Sequence, residues 1–262
     1  MDRGDGHEGT PEFSIVCPIK DEADLIPITL PSFYSVNPYE VLLCLDKPAP
    51  EEVIKAIHKV ARICGAERIT RIIEVERRDD FAFHQAWVRR CGFSKAKCDI
   101  ILTTDIDIIL DPKIRNYLHL IDDEVKLVSF SKFPYPIDFR KCTAWLVQKV
   151  YYHNSFTGLY AFSKKAWLET EDEESLKKIP RGEDTHLHEY LTKKYKAKFI
   201  AGIKNIVLRP KESSRYQFLM GWNRWKIRKT SVPRILLSTF LYFRPFLLAG
   251  YLKARLYEYA GD

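Results

Sequence analysis

Residues 98–112, CDIILTTDIDIILDP, constrain this chain more than any other stretch. Ile100, Ile101 and Leu102 lead into Thr103 and Thr104, then come two carboxylates two positions apart, Asp105 and Asp107, with Ile106 between. A second apolar triplet, Ile108 to Leu110, runs up to Asp111-Pro112. The apolar run before the acids reads as a strand buried on both faces, as in parallel sheets. Acids at the carboxyl end of such a strand stand where open α/β sheets bind ligands. If the chain stays extended there, the two side chains share a face and repel unless a cation lies between them. A hard divalent ion such as Mg2+ or Mn2+, which also grips phosphate oxygens, fits Asp105 and Asp107. The plainer alternative is a strand end with two solvated acids, because a three-residue pattern recurs by chance.

The surrounding pattern has the same rhythm. FSIVCP (Phe13 to Pro18) reads as a buried first strand, and Lys20-Asp21-Glu22 follow it. Leu25 to Phe33 is a short helix interrupted by Pro27 and Pro31, and Glu40 to Leu45 a second strand ending at Asp46. Glu51 to Cys64 has helical spacing and stops at Gly65; Arg68 to Val75 is a third strand. Phe81 to Cys91 is a helix closed by Gly92, and Pro112 to Leu120 another helix. Strands alternating with helices predict a parallel, helix-covered sheet. Beyond it, Lys126 to Phe130, Trp145 to Tyr152, Phe156 to Phe162 and Phe199 to Leu208 read as strands, and Ser131 to Arg140 as a loop. Glu169 to Lys178 reads as a solvated helix face, and Arg181-Gly182-Glu183-Asp184 opens a helix reaching about Tyr195.

Charge separates the chain into parts. The net charge is +7, yet residues 209–262 hold 11 Lys and Arg against 3 Asp and Glu, so residues 1–208 are almost neutral. A basic, aromatic tail on a neutral body suggests an anionic partner, lipid headgroups or nucleic acid. The expected domains are a loose tail at 1–12, a globular body at 13–208 and a helical basic extension at 209–262. Six scattered cysteines with no C-x-x-C pair argue against a zinc site or a disulfide framework, and Cys17 and Cys44 read as buried thiols. A reducing cytoplasmic compartment fits, and no signal peptide is visible in MDRGDGHEGTPE.

Four segments together resemble the family 2 glycosyltransferases, which have the GT-A fold and use nucleotide sugars. FSIVCPIKDEADLI is similar to the family's opening strand and acidic turn, LLCLDKPAP to its second strand, TTDIDIILDP to its DxD motif and RGEDTHL to its late Glu-Asp pair. The resemblance covers roughly Phe13 to Leu208. It implies a GT-A type, Rossmann-like, mostly parallel sheet with helices on both faces. It also implies a hexosyltransferase that takes a nucleoside-diphosphate sugar with a divalent cation. Pro18, Asp21 and Glu22 would lie beside the nucleotide, although Asp21 stands where the family usually has Asn. Asp46 would accept a hydrogen bond from the base. Asp105 would contact the ribose or sugar and share the metal with Asp107, the more direct ligand. Asp184 would be the general base of an inverting transfer, with Glu183 stabilising the helix start. His186, His188 and His84 are weaker candidates, as is Gly158, which would let the sugar or acceptor approach the backbone.

The tail carries a further expectation. Ser213 to Lys229 mixes Arg, Lys, Trp and Tyr, and Val232 to Leu248 is apolar but broken by Arg234, Arg244 and Pro245. A spanning helix needs about 20 apolar residues, so an interfacial helix fits better. Such a tail would hold the protein on the cytosolic face of a membrane through residues 213–255, with Arg215 available to a diphosphate or lipid phosphate. The acceptor would be a glycan or polyprenyl phosphate. The competing readings are helices packed on the body, a nucleotidyltransferase, or a non-catalytic membrane or nucleic-acid binding protein. PIKDEAD lacks the glycine a triphosphate loop needs, and nucleic acid is disfavoured.

Overall fold

The computed structural model describes residues 11–135, 158–178, 183–208, 214–226, 229–241 and 245–259. Eight strands form one sheet: β1 (Phe13–Ile19), β2 (Glu40–Asp46), β3 (Thr70–Val75), β4 (Ile100–Thr104), β5 (Ile108–Ile109), β6 (Val125–Pro134), β7 (Leu159–Ser163) and β8 (Lys196–Val207). Their order is β3-β2-β1-β4-β7-β6-β8-β5. The first four run parallel, as the buried apolar runs require. From β4 onward the pairings β4–β7, β6–β7 and β5–β8 are antiparallel. The result is the α/β fold that the resemblance implies.

Helices cover both faces because alternate strand residues point opposite ways. Ile15, Cys17 and Ile19 of β1 pack against α1 (Ile26–Ser35), α2 (Glu51–Ile63) and a 3-10 helix (Pro112–Leu120). Val16, Leu42 and Cys44 face the other way, toward α3 (His84–Lys95), α4 (Lys164–Thr170) and α6 (Glu183–Lys194). A short α5 (Glu173–Lys177) lies between α4 and α6 in the chain. Burial pushes the Cys44 thiol up to about 12, so it is a neutral core group, as the sequence suggested.

Several boundaries differ from the sequence reading; β3, α3 and β8 start at Thr70, His84 and Lys196 rather than Arg68, Phe81 and Phe199. The stretch Glu169 to Lys178 divides into the end of α4 and the separate α5. Strand β6 continues to Pro134, through residues read as a loop. Helix α3 does not stop at Gly92 but runs on to Lys95. A Cβ at Gly92 would overlap the side chains of Val16 and Cys44, so this glycine is where the helix presses onto the sheet. The strand expected at Trp145 to Tyr152 lies outside the described residues.

The chain divides into two compact units, Met1–Phe133 with Phe156–Val207, and Pro134–Ser155 with Leu208–Asp262. In the second, helices α7 (Ser214–Lys226), α8 (Val232–Leu241) and α9 (Pro245–Tyr259) are described. Helices α7 and α9 touch through reciprocal glycines. A Cβ on Gly221 would overlap the Leu247 carbonyl, and one on Gly250 the Phe218 carbonyl. Trp225 stacks edge-on to Tyr251 at 5.4 Å, and the Tyr251 hydroxyl donates to the Thr230 carbonyl at 2.7 Å. Among the described residues no helix is long and apolar enough to cross a membrane.

The α3 contact can be tested directly. Gly92→Ala should lower stability in urea by about 1–3 kcal/mol, the usual cost of overpacking. Gly202→Ala, where an added Cβ meets nothing within 4 Å, should shift it by less than about 0.5 kcal/mol.

Candidate functional site

The parallel strands β1, β2 and β4 end on one edge of the sheet. The chain moves from β1 outward to β2 and β3, then returns to place β4 on the other side of β1. The gap between β1 and β4 is thus the switch point where such sheets leave room for a ligand. Most of the acids singled out from the sequence sit on this edge. Pro18 is buried near the end of β1, and Asp21 and Glu22 occupy the turn after it. The Glu22 carboxylate accepts from the backbone N–H groups of Lys20 and Asp21 at 2.9 and 3.2 Å, which fixes the turn. Asp46 is the last residue of β2. Asp105 and Asp107 follow β4 directly. Gly158 immediately precedes β7, whose Leu159 pairs with Thr104.

Asp105 and Asp107 do not lie on one extended strand. The Ile108 N–H donates to the Asp105 carbonyl at 3.2 Å, closing a tight turn whose first and third residues are the two acids. The cause is non-local: the chain must bend after β4 so that β5 can pair with β8, Ile108 opposite Val207. Ile106 is buried in the core and anchors the turn. Beyond it the backbone is held by side chains. Leu110 donates to Ser32 Oγ and Asp111 to Asn205 Oδ1, each at 2.9 Å, while Asn205 Nδ2 donates to the Ser131 carbonyl at 2.9 Å.

Helix α3 brings a basic group to each of two acids. The Arg89 guanidinium donates to Thr103 Oγ1 at 2.7 Å and to Asp105 Oδ1 at 2.8 Å, and its side chain is only 4% exposed. At the start of the same helix, His84 Nε2 stands 3.1 Å from Asp46 Oδ1, outside hydrogen-bond geometry. Sequence reasoning noticed His84 and Asp46 separately and missed Arg89. Its signal was present: Ala86, Arg89 and Phe93 are spaced along the buried stripe of α3. A charge in such a stripe needs a partner.

Gly158 completes this corner. Its φ of +78° suits glycine, and a Cβ there would come within 2.8 Å of Asp105 Oδ2 and 3.0 Å of Lys132 Nζ. The glycine therefore leaves space above Asp105, with the Lys132 ammonium at its border. The Asp105 charge also reaches Cys17, whose thiol is pushed well up, first by burial and then by that carboxylate.

The late Glu-Asp pair opens α6. The carboxyl end of that helix is tied low in the sheet, where the Lys196 N–H donates to the Glu124 carbonyl at 3.0 Å beside the start of β6. Higher up, Leu187 and Tyr190 line a small cavity with Ala86, Arg89 and Tyr160. The first turn, with Glu183 and Asp184, thus heads toward the edge that carries Asp105 and Asp107. The side chains of Glu183, Asp184 and His186 lie outside the described residues; His188 is half-buried on α6. Arg215 belongs to α7 of the second unit, and its side chain is also outside the described set.

The donor set suits a hard cation completed by substrate. Among the described residues no three His, Cys, Asp or Glu side chains converge as a cage. Asp105 and Asp107, on a turn at the carboxyl edge of the parallel strands, could hold Mg2+ or Mn2+ if phosphate oxygens and water supplied the other ligands.

No family model and no curated protein matches the sequence. Solved structures do match the fold. The mannosyltransferase PcManGT from Pyrobaculum calidifontis, in complex with GDP-Man and Mn2+, aligns with a TM-score of 0.60 at 17% identity, over 94% of this chain and 75% of its own. Residues 1–349 of S. aureus TarS align at 0.55 and 11% identity, over 82% of this chain and 66% of that one. A longer TarS structure aligns at 0.56, over 90% of this chain and 43% of its own. The chain therefore has a glycosyltransferase fold.

Removing Arg89 should expose its role. Arg89→Met keeps the stem but removes the buried guanidinium that pairs with Asp105 and Thr103, so unfolding free energy should drop by about 3 kcal/mol in urea. The double variant Arg89→Met, Asp105→Asn should recover part of that loss, as a double-mutant cycle would measure.

Proposed function

We propose that this chain is an inverting, metal-dependent glycosyltransferase of the family 2 type, moving a hexose from a nucleoside-diphosphate sugar to an acceptor hydroxyl or phosphate, lipid-linked in the class its basic tail suits. The observation that carries the reading is the convergence on one sheet edge of Asp21, Asp46, Asp105 and Asp107, drawn from three separate segments. PcManGT is described with GDP-Man and Mn2+, which supports the choice of donor class and cation.

The residues divide the work as follows. Asp46 accepts the base N–H, with His84 beside it to hold the carboxylate in place. Asp105, ion-paired with Arg89, accepts from ribose or sugar hydroxyls and lies beside the cation. Asp107 is the direct metal ligand, with Asp105 beside it. A bound Mg2+ or Mn2+ would offset the negative charge that gathers on the departing diphosphate. Gly158 gives the sugar room next to Asp105, and Lys132 adds positive charge at the same border. Asp184 takes the proton of an acceptor hydroxyl as that oxygen attacks the anomeric carbon from the face opposite the diphosphate. The new C–O bond forms as the old one breaks, and the nucleoside diphosphate leaves with the bonding pair.

A thermal-shift panel of UDP- and GDP-sugars, with and without Mn2+, tests this. One donor at about 100 times its Kd should add about 2.7 kcal/mol of stability, and only with metal. Asp107→Asn should remove the metal dependence. Asp184→Asn should leave donor binding intact yet cut transfer by about 100-fold or more. No stabilisation by any donor in either condition would refute the assignment.

A further inference from the structure

Two helices of the second unit leave large apolar side chains in water. In α8, Ile235, Ser238 and Thr239 are buried while Leu236, Leu237 and Phe240 are exposed, Phe240 at 71%. Ser238 is held inside by a hydrogen bond from Arg224 at 3.0 Å. In α9 the small residues Gly250 and Ala254 are buried together with Leu247 and Tyr251, while Phe246, Leu252 and Leu256 face outward, Leu256 at 67%. A helix in water normally buries its apolar stripe and exposes its polar one. Here both helices also turn large apolar side chains outward, and the buried side of α9 is already taken up by its contact with α7.

What covers these faces is indicated by charge. Residues 213–257 contain nine Lys and Arg and no Asp or Glu. Arg234 and Lys253 are exposed on the same two helices as the apolar stripes. A second copy of the chain docked face to face would bring these cations together, which like-charge repulsion opposes. An anionic bilayer surface answers both features. Its acyl region takes the leucines and phenylalanines, and its headgroups take the arginines and lysines.

We propose that the outward faces of α8 and α9 form a monotopic docking surface for anionic lipid, independent of whether the first unit transfers sugar. The faces enter the headgroup layer without crossing the bilayer. Trp222 and Trp225 of α7 belong to the same helical unit, and aromatic rings of this kind favour the interface.

Flotation of the full chain with vesicles decides the matter. Phosphatidylcholine vesicles containing phosphatidylglycerol should carry the protein upward, vesicles of phosphatidylcholine alone should not, and rising salt should weaken binding. Phe240→Ser and Leu256→Ser should each reduce binding about tenfold, with an unchanged thermal melt because both side chains are exposed. Arg234→Glu with Lys253→Glu should abolish the preference for phosphatidylglycerol. The proposal is overturned if wild-type protein ignores the anionic vesicles, or if both serine variants bind as well as wild type. It is equally overturned if light scattering shows a dimer that Phe240→Ser dissolves, since the face would then belong to a second copy. Donor binding, measured on the same samples, reports on the transferase reading separately.

Discussion

The close seating of α3 on the sheet is the constraint from which the site follows. Gly92 removes the side chain that would hold the helix away from Val16 and Cys44. One turn earlier, Arg89 can then reach across to Thr103 and Asp105 from a position sealed off from water. A guanidinium desolvated in this way needs its carboxylate, and the carboxylate is fixed in return. The helix start, carried along by the same packing, brings His84 to Asp46. A single contact without charge or hydrogen bonding thus sets the spacing between two acids on different strands.

That dependence explains what could and could not be read in advance. The acids after β1, β2 and β4 were legible because each follows a local apolar run, and parallel topology then gathers them on one edge. Gly92 was misread as a helix stop because an isolated glycine after an apolar-periodic stretch is also how helices end. Arg89 went unnoticed because a long cation on a helix usually points to water. The bend at Asp105 was out of reach of local pattern altogether. It is imposed by β8, whose residues lie about 100 positions further along the chain. The extended geometry expected for the two acids was therefore replaced by a turn, and with it the reason for their proximity changed.

The second unit shows the same principle with the opposite sign. Its sequence looked like an amphipathic surface segment, and its helices α7 and α9 meet at two glycines with Trp225 and Tyr251 packed beside them, while Leu236, Leu237, Phe240, Leu252 and Leu256 stay outside. Those side chains are then available to a different solvent. Composition reveals their number, but only the packing reveals which way they face.

The clamp around Asn205 has a consequence for synthesis. Asn205 joins Asp111 to Ser131 through both ends of its amide, and it lies in β8, the last strand of the sheet to leave the ribosome. A nascent chain that has already produced β1 to β4 holds its acids in place by sequence but not yet by geometry. Until β8 emerges, the loop after β4 has no partner strand, so the turn that carries Asp105 and Asp107 is completed only after about 100 further residues have been made.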